Sequence, residues 1–218
     1  GYELCNFVKR FSNAGSANIP IVSTSLSAGD WTGTILTRLG IKRDNYTVSP
    51  GLYGVGDPDT KSPVIVTANY KLSFDTVRSN LAGQDVWLLV LDTCGINVWC
   101  AAGKKTFSTD ELVKQITRTA LELVVDHRTV IVPQLGATGI AAHRVKALCG
   151  FTVIYGPIRS DDLAVFLDNK FQIEPGMRLV TFTLPERMIL VPVELSLLVR
   201  SLWWFVPLLF LISGISQS

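Results

Sequence analysis

The chain is short of charge. Charged residues make up 17% of its 218 positions, against about 25% in ordinary soluble proteins. Its 20 Lys and Arg against 18 Asp and Glu leave a net charge of +2, with no basic cluster and no polybasic tail. A mainly electrostatic nucleic-acid binder is therefore disfavoured, and no nucleic acid is expected as a partner. Cysteine is scarce too: Cys5, Cys94, Cys100 and Cys149 are too few and too scattered for the disulfide scaffold of a small secreted domain. A reduced, intracellular setting follows. Cys94 and Cys100 lie outside C-x-x-C spacing and no matching pair comes later, which argues against a structural zinc site. Common enzyme signatures are missing as well, with no G-x-S-x-G elbow, no P-loop and no H-E-x-x-H. His127 and His143 read as structural or solvent-facing. The N-terminal residues GYELCNFVKR have no apolar h-region, so no signal peptide is expected.

What the chain has in excess is apolar residues, 48% of the total with a mean hydropathy of +0.34. Much of the surplus lies in Leu197 to Ile215, LLVRSLWWFVPLLFLISGI, whose one charge is Arg200. As a helix this run extends about 28 Å, close to the roughly 30 Å of a bilayer core. Trp203 and Trp204 beside Arg200 have the pattern of an aromatic belt with a snorkelling cation. The expectation is a transmembrane helix, with a buried core helix as the alternative. The chain starts at Gly1 and stops at Ser218, which suggests an excerpt of a longer membrane protein.

Between residues 60 and 182, short β-branched runs alternate with amphipathic ones. Pro63 to Ala68, Val86 to Asp92, Thr129 to Val132 and Phe151 to Tyr155 read as strands, with a possible fifth at Leu179 to Thr183. Leu72 to Leu81, Ser108 to His127, Gly139 to Leu148 and Asp161 to Leu167 read as helices. The second has an apolar face of Leu112, Ile116, Ala120, Leu123 and Val124, and the third has Gly150 as its stop. Residues 1–59 are less regular, with a helix at Trp31 to Leu39 and an extended segment at Tyr46 to Tyr53. Strands apolar on both sides suit a mostly parallel sheet covered on both faces, so the fold class is α/β, Rossmann-like and doubly wound. Ligands in such folds gather beyond the carboxyl ends of the strands. Four segments lie there: Thr67 to Tyr70, Thr93 to Lys105, Pro133 to Gly139 and Gly156 to Ser160.

The loop from Thr93 to Lys105 is the unusual one. A Trp beside a Cys, followed by small residues and Gly, suits a tight helical turn that presents a thiol to a large flat ligand. A thiolate is the coordinating form, favoured by a helix N-terminus or by Lys104 and Lys105; the plain alternative is an inert buried cysteine. Gly136 to Gly139 joins a strand to a helix and is either a site for an anionic or amide-bearing ligand or a simple tight turn. Gly51 to Gly56 reads as a turn, and Cys149 as packing.

At Asn97-Val98-Trp99-Cys100-Ala101-Ala102-Gly103-Lys104 the chain resembles the signature of the mercury-methylating corrinoid protein family, eight residues without a departure. The resemblance extends to Val64 to Ser73, Pro50 to Gly56 and Pro133 to Gly139, and more distantly to the corrinoid iron-sulfur protein of the acetyl-CoA pathway. It implies a cobalamin-type corrinoid with Cys100 as catalytic residue and lower axial cobalt ligand. The histidine alternative, an Asp-x-His-x-x-Gly motif, is absent. Thr67 and Asn69 are then candidates to bond corrinoid amides or the displaced nucleotide tail. Gly136, Ala137 and Gly156 give close backbone approach, and Asn97 and Trp99 brace the cap. Thr93, Gly95, Val98, Ala101, Ala102, Gly103, Lys104 and Gln134 complete the expected cofactor-binding set. A soft thiolate donor favours release of a methyl group with both bonding electrons, so the resemblance implies a methyltransferase forming methylmercury from Hg(II). The expected partners are a ferredoxin-like reductant with two [4Fe–4S] clusters and a methyl-folate-linked donor. The expected domains are a cytoplasmic corrinoid-binding domain over 1–190 and the first transmembrane helix over 195–218, in a multi-pass protein of the cytoplasmic membrane. Two alternatives stand beside this reading: a corrinoid methyl carrier of one-carbon metabolism, and a non-enzymatic, membrane-tethered binding domain.

Overall fold

The computed structural model describes residues 6–14, 17–41, 43–181, 183–189, 191–203, 205, 207, 209 and 211. Cys5 lies outside them. The chain divides into two units, Gly1–Asp30 with Asp44–Val180, and Trp31–Arg43 with Thr181–Ser218.

The first unit is built on a seven-stranded sheet in the order β1-β2-β3-β5-β4-β6-β7. Its strands are β1 (Val8–Ala14), β2 (Ala17–Val22), β3 (Gly51–Val55), β4 (Val64–Ala68), β5 (Val86–Leu91), β6 (Thr129–Val132) and β7 (Thr152–Tyr155). Helices α2 (Lys71–Asn80), α3 (Val98–Gly103), α4 (Thr109–Arg118), α5 (Ala142–Cys149) and α6 (Leu163–Asp168) join or cover them; α1 (Ala28–Arg38) precedes β3. Every residue of β4 and of β5 is buried. Their side chains alternate between two cores, as a period of two requires. Trp87, Leu89 and Leu91 join Val64, Val66 and Ala68 beneath α3, α4 and α5, whereas Val86, Leu88 and Val90 join Ile65 beneath α2 and α6. The α/β class and the four central strands agree with the sequence reading.

The sheet is mixed rather than mostly parallel. β5, β4, β6 and β7 are mutually parallel, and β2 is parallel to β3, but β1–β2 and β3–β5 are antiparallel. The sequence reading passed over β1 and β2. β1 lies at the sheet edge, where charged Lys9 and Arg10 interrupt any apolar run and where such residues discourage further pairing. The long helix expected from Ser108 ends early: Ala120 is left-handed at φ 47° and a short 3-10 turn follows at Leu121–Leu123. This turn buries Leu121, Val124 and Val125 but leaves Leu123, expected on the apolar face, exposed. No strand forms at residues 179–181 and 183; a 3-10 turn at Pro175–Arg178 precedes them, and Leu179 and Val180 are exposed.

In the second unit, α7 (Leu184–Met188) and α8 (Val191–Leu202) carry the C-terminal chain. Among the described residues no helix is long and apolar enough to cross a membrane. The expected transmembrane helix, and with it the multi-pass location in the cytoplasmic membrane, is corrected on this ground. The helical register starts upstream of the apolar run, takes in Glu194 and ends at Leu202. Its 12 residues reach about 18 Å, and farther along the apolar run Phe205, Pro207, Leu209 and Leu211 are also helical. Residues 204, 206, 208, 210 and 212–215 of the apolar run lie outside the described residues.

A buried ion cluster ties the start of α1 to α2. Ser27 and Asp30 form a reciprocal cap, with Asp30 N bonded to Ser27 Oγ at 3.2 Å and Ser27 N to Asp30 Oδ2 at 2.9 Å, the capping-box arrangement. The same carboxylate accepts from Lys71 Nζ at 2.6 Å and from an Arg78 Nη at 2.8 Å. Asp75 completes the square, 2.5 Å from Lys71 and 2.7 Å from Arg78 Nε. Lys71 and Arg78 also lie over the Phe7 ring. Burial alone raises the Asp30 carboxyl pKa, but hydrogen bonds from Lys71 and Ser27 outweigh it and hold the group far below the ordinary carboxylate range. A folded-state pKa below the unfolded one stabilises the fold above the ordinary value of about 3.9, and that stability is lost as pH falls below it. Lys71→Met leaves two buried carboxylates sharing one cation and is expected to cost about 3–5 kcal/mol, read by urea denaturation at neutral pH. The penalty should shrink as pH falls below about 4; a pH-independent penalty would show that packing, not charge pairing, is what the lysine supplies.

Candidate functional site

Parallel β5, β4, β6 and β7 bring their carboxyl ends to one edge of the sheet, so the four segments singled out from sequence meet there. From β4 the chain crosses to β5 on one side and later to β6 on the other. The position between β4 and β6 is thus a topological switch point, where α/β sheets open a crevice. Their one registered pair is Ile65 with Ile131. At this point lies a cavity of about 320 Å³, lined mostly by apolar groups from β4, α2, the cap helix and the segment after β7.

The cap is organised by Asn69, 5% exposed at the end of β4. Its Oδ1 accepts from Thr93 N at 3.0 Å, Thr93 Oγ1 at 2.8 Å and Gly95 N at 3.1 Å, while its Nδ2 donates to Asp92 Oδ1 at 3.2 Å. Asp92 Oδ1 also accepts from Cys94 N. Cys94 and Gly95 are both left-handed, at φ 56° and 71°, a turn that glycine adopts freely and cysteine rarely. Four hydrogen bonds from one side chain therefore fix the tight bend from which α3 departs. Asn97 then caps α3, its Oδ1 accepting from Cys100 N at 2.9 Å.

α3 has two unlike sides. Ala101 and Ala102 are buried in the core beneath it, while Trp99 and Cys100 are exposed. Only small residues fit below. A Cβ at Gly136 would overlap the Phe107 ring, and one at Gly139 would collide with the Phe107 carbonyl and stand 3.2 Å from the Ala102 Cα. The A-A pair and these glycines let α3 lie close to the sheet, which turns the Cys100 thiol outward.

The expected binding residues separate into groups. Thr67, Asn97, Val98, Trp99 and Gly156 line the cavity. Asn69, Thr93 and Gly95 are buried in the brace, so the Asn69 carboxamide holds the chain itself rather than a ligand. Ala101, Ala102 and Gly136 pack on the opposite face of the sheet, where Gly136 makes room for Phe107 rather than for a cofactor. Gln134 and Ala137 are half-buried in the turn after β6, and Gly103 and Lys104 are exposed. Sequence reading missed the α2 side of the cavity: Leu72, Ser73, Thr76 and Val77. Their spacing over one helical turn was the available signal. Cys149 packs as expected, half-buried against the core with its thiol near the Val145 carbonyl. His127 is structural: one ring nitrogen meets Ser62 O at 3.0 Å and the other meets Thr129 N at 3.3 Å. Among the described residues no group of three or more His, Cys, Asp or Glu could hold a metal ion.

The family described as CO dehydrogenase/acetyl-CoA synthase delta subunit matches residues 34–167. Similar curated proteins are gamma subunits of the acetyl-CoA decarbonylase/synthase complex. The one from Methanopyrus kandleri is 35% identical over 130 residues, 59% of this chain and 28% of that protein. The one from Archaeoglobus fulgidus is 32% identical over 63% of this chain and 30% of its own length. The one from Methanothermobacter thermautotrophicus is 34% identical over 65% and 32%. The chain thus spans less than a third of the length of these relatives. That gamma-subunit family binds a corrinoid cofactor, the cofactor class expected from the sequence.

These matches overturn the mercury-methylating assignment, and with it the reading as a methylmercury-forming enzyme with Hg(II) as substrate. The physical reason lies in the motif. Of its eight residues, Asn97 caps the helix, Ala101 and Ala102 pack beneath it, and Gly103 and Lys104 end it. The motif thus describes how a thiol-bearing cap helix is built, which does not specify the methyl acceptor. The distant resemblance, to the acetyl-CoA pathway protein, is the one the matches support.

Removing the brace and removing the cap should be separable. Asn69→Ala strands the buried N–H groups of Thr93 and Gly95 and is expected to cost about 2–4 kcal/mol. Asn97→Ala should cost about 1 kcal/mol. Chemical denaturation of the two variants measures both, and equal losses would count against Asn69 as the organiser of the bend.

Proposed function

Because the chain belongs to the CO dehydrogenase/acetyl-CoA synthase delta subunit family, we propose that it is the corrinoid-holding part of a methyl carrier in one-carbon and acetyl-CoA metabolism. The observation that carries this reading is an exposed thiol, Cys100, on a short cap helix beside a mostly apolar cavity at the switch point of the sheet. The donor set fits a corrinoid. A thiolate is a soft ligand suited to a late first-row ion, and the mostly apolar cavity of about 320 Å³ beside it has room for one flat ring of such a cofactor. When bound, the corrinoid supplies a cobalt ion that accepts and gives up a methyl group.

This chain's own residues do three things in that scheme. Cys100 would supply the thiolate that holds the cobalt. Asn97 and Asn69 fix the helix and bend that aim the thiol, the kind of outer support that tunes a ligated metal. Trp99, 63% exposed next to Cys100, lines the adjoining cavity together with Val98, Thr67 and Gly156. Domains of 1–190 for the corrinoid and 195–218 for an appended segment complete the proposal.

Taking up and giving up a methyl group as a cation balances without added electrons, so an outside reductant would be needed only to restore a metal lost to one-electron oxidation. A ferredoxin-like protein with two [4Fe–4S] clusters meets that need, and a methyl-folate-linked protein is the matching donor. Both act as partners within an assembly of the kind that the names of the gamma-subunit relatives describe.

The chain loaded anaerobically with cobalamin should give a base-off absorption and electron paramagnetic resonance spectrum with thiolate character. Cys100→Ala should bind cobalamin with that character gone. Identical spectra for the two proteins would remove Cys100 as the ligand, and no binding by either would remove the corrinoid reading. Cys94→Ala should leave the spectrum unchanged.

A further inference from the structure

We propose that Thr67 selects the lower base of the corrinoid, favouring a nitrogen heterocycle over a phenol. The inference rests on the corrinoid reading above and adds a discrimination that neither the motif nor the family match supplies.

The cavity of about 320 Å³ beside the cap helix is at the small end of ligand sites, roughly 300–1,000 Å³. A corrin ring is too large for it, but a flat bicyclic ring is not. Its walls are mostly apolar side chains from both sides of the switch point, Ile65 and Ile131 from the sheet, Leu72 and Val77 from α2, and Leu163 from α6, with Ser73, Thr76, Asn97, Arg159 and Ser160 among the polar members. Such walls match the faces of an aromatic ring.

One polar side chain of this lining is fully buried. Thr67 is 1% exposed, and its hydroxyl has no hydrogen-bond partner among the described residues. A hydroxyl in a strand ordinarily finds a partner, since leaving one buried and unpaired is unfavourable. Thr67 faces the same side of β4 as Ile65, by the two-residue period of the strand, and lines the cavity with it.

If Cys100 takes the lower side of the cobalt, the ring nitrogen that would otherwise bind there is free. In a benzimidazole or purine base that nitrogen is an acceptor on the ring edge, and the Thr67 O–H donates to it. A phenolic base has no ring nitrogen, so with it the hydroxyl stays unpaired. A buried group built to pair with a ligand rejects an analogue that lacks the partner.

The test compares the full chain with Thr67→Val, which keeps the shape and removes the hydroxyl, and with Thr67→Ser, which keeps the hydroxyl. Equilibrium binding is measured anaerobically by calorimetry for cobalamin and for a cobamide whose lower base is p-cresol. Heat stability is measured on each ligand-free protein. Wild type should bind cobalamin about five- to tenfold more tightly than the phenolic cobamide. Thr67→Val should erase the preference by weakening cobalamin alone, with a ligand-free melting temperature no lower than wild type, because an unpaired hydroxyl has been replaced by a methyl. Thr67→Ser should keep the preference. Equal affinities in wild type, or a preference that survives in Thr67→Val, would overturn the selection and leave the corrinoid reading intact. A lower melting temperature in Thr67→Val with both affinities weakened alike would make the hydroxyl structural. Failure to bind either cobamide would overturn the reading on which the selection rests.

Discussion

β4 and β5 offer no side to water, and the layout of the molecule follows from covering both. With every residue from Val64 to Ala68 and from Val86 to Leu91 buried, helices must lie on each face. Parallel strands with helical crossovers are the arrangement that supplies them. The parallel order then sends the carboxyl ends of β5, β4, β6 and β7 to a single edge. The change of direction on either side of β4 opens the crevice there. The candidate site is a consequence of how the core is covered.

Within that frame, one side chain and two glycines shape the crevice into a candidate site. Asn69 ends β4 and reaches to the neighbouring strand end, where its carboxamide bonds to Asp92, Thr93 and Gly95. This lateral tie lets a bend with two successive left-handed residues hold its shape. α3 departs from the bend with Ala101 and Ala102 pressed into the core and Cys100 facing out. The thiol's orientation is therefore fixed from below, by the absence of side chains at Gly136 and Gly139, rather than by any group that touches sulfur. The ion cluster of Asp30, Lys71, Asp75 and Arg78 does the corresponding work for α2, which forms one wall of the cavity.

The mercury-methylating resemblance and the family match part company over what a short motif can carry. A motif of eight residues, most of which cap or pack a helix, reports the local construction of a cofactor support. The chemistry of the acceptor depends on what reaches the other side of the cofactor, and no residue of the motif bears on that. A match that spans residues 34–167 samples β3 to β7, the cavity walls and the cap together, and so discriminates on far more than the motif.

The sequence by itself determined the α/β class, the central strands within a residue or two of their ends, and the strand-end segments where the site lies. These depend on local periodicity and on apolar runs, which are written in consecutive residues. Cys100 and Asn97 were legible for the same reason, since a cap and a thiol-bearing turn are built from neighbours in the chain. Tertiary structure alone decided the roles of Asn69 and Gly136, because each acts on residues 23 or more positions away. It also decided the antiparallel β1 and β2 edge, where charge hides the strand pattern, and the length of α8, whose register starts before the apolar run that drew attention to it. The cavity and its unpaired Thr67 hydroxyl belong to the same class. A void is a relation among surfaces from β4, α2, β6 and the segment after β7, and no single stretch of sequence contains it.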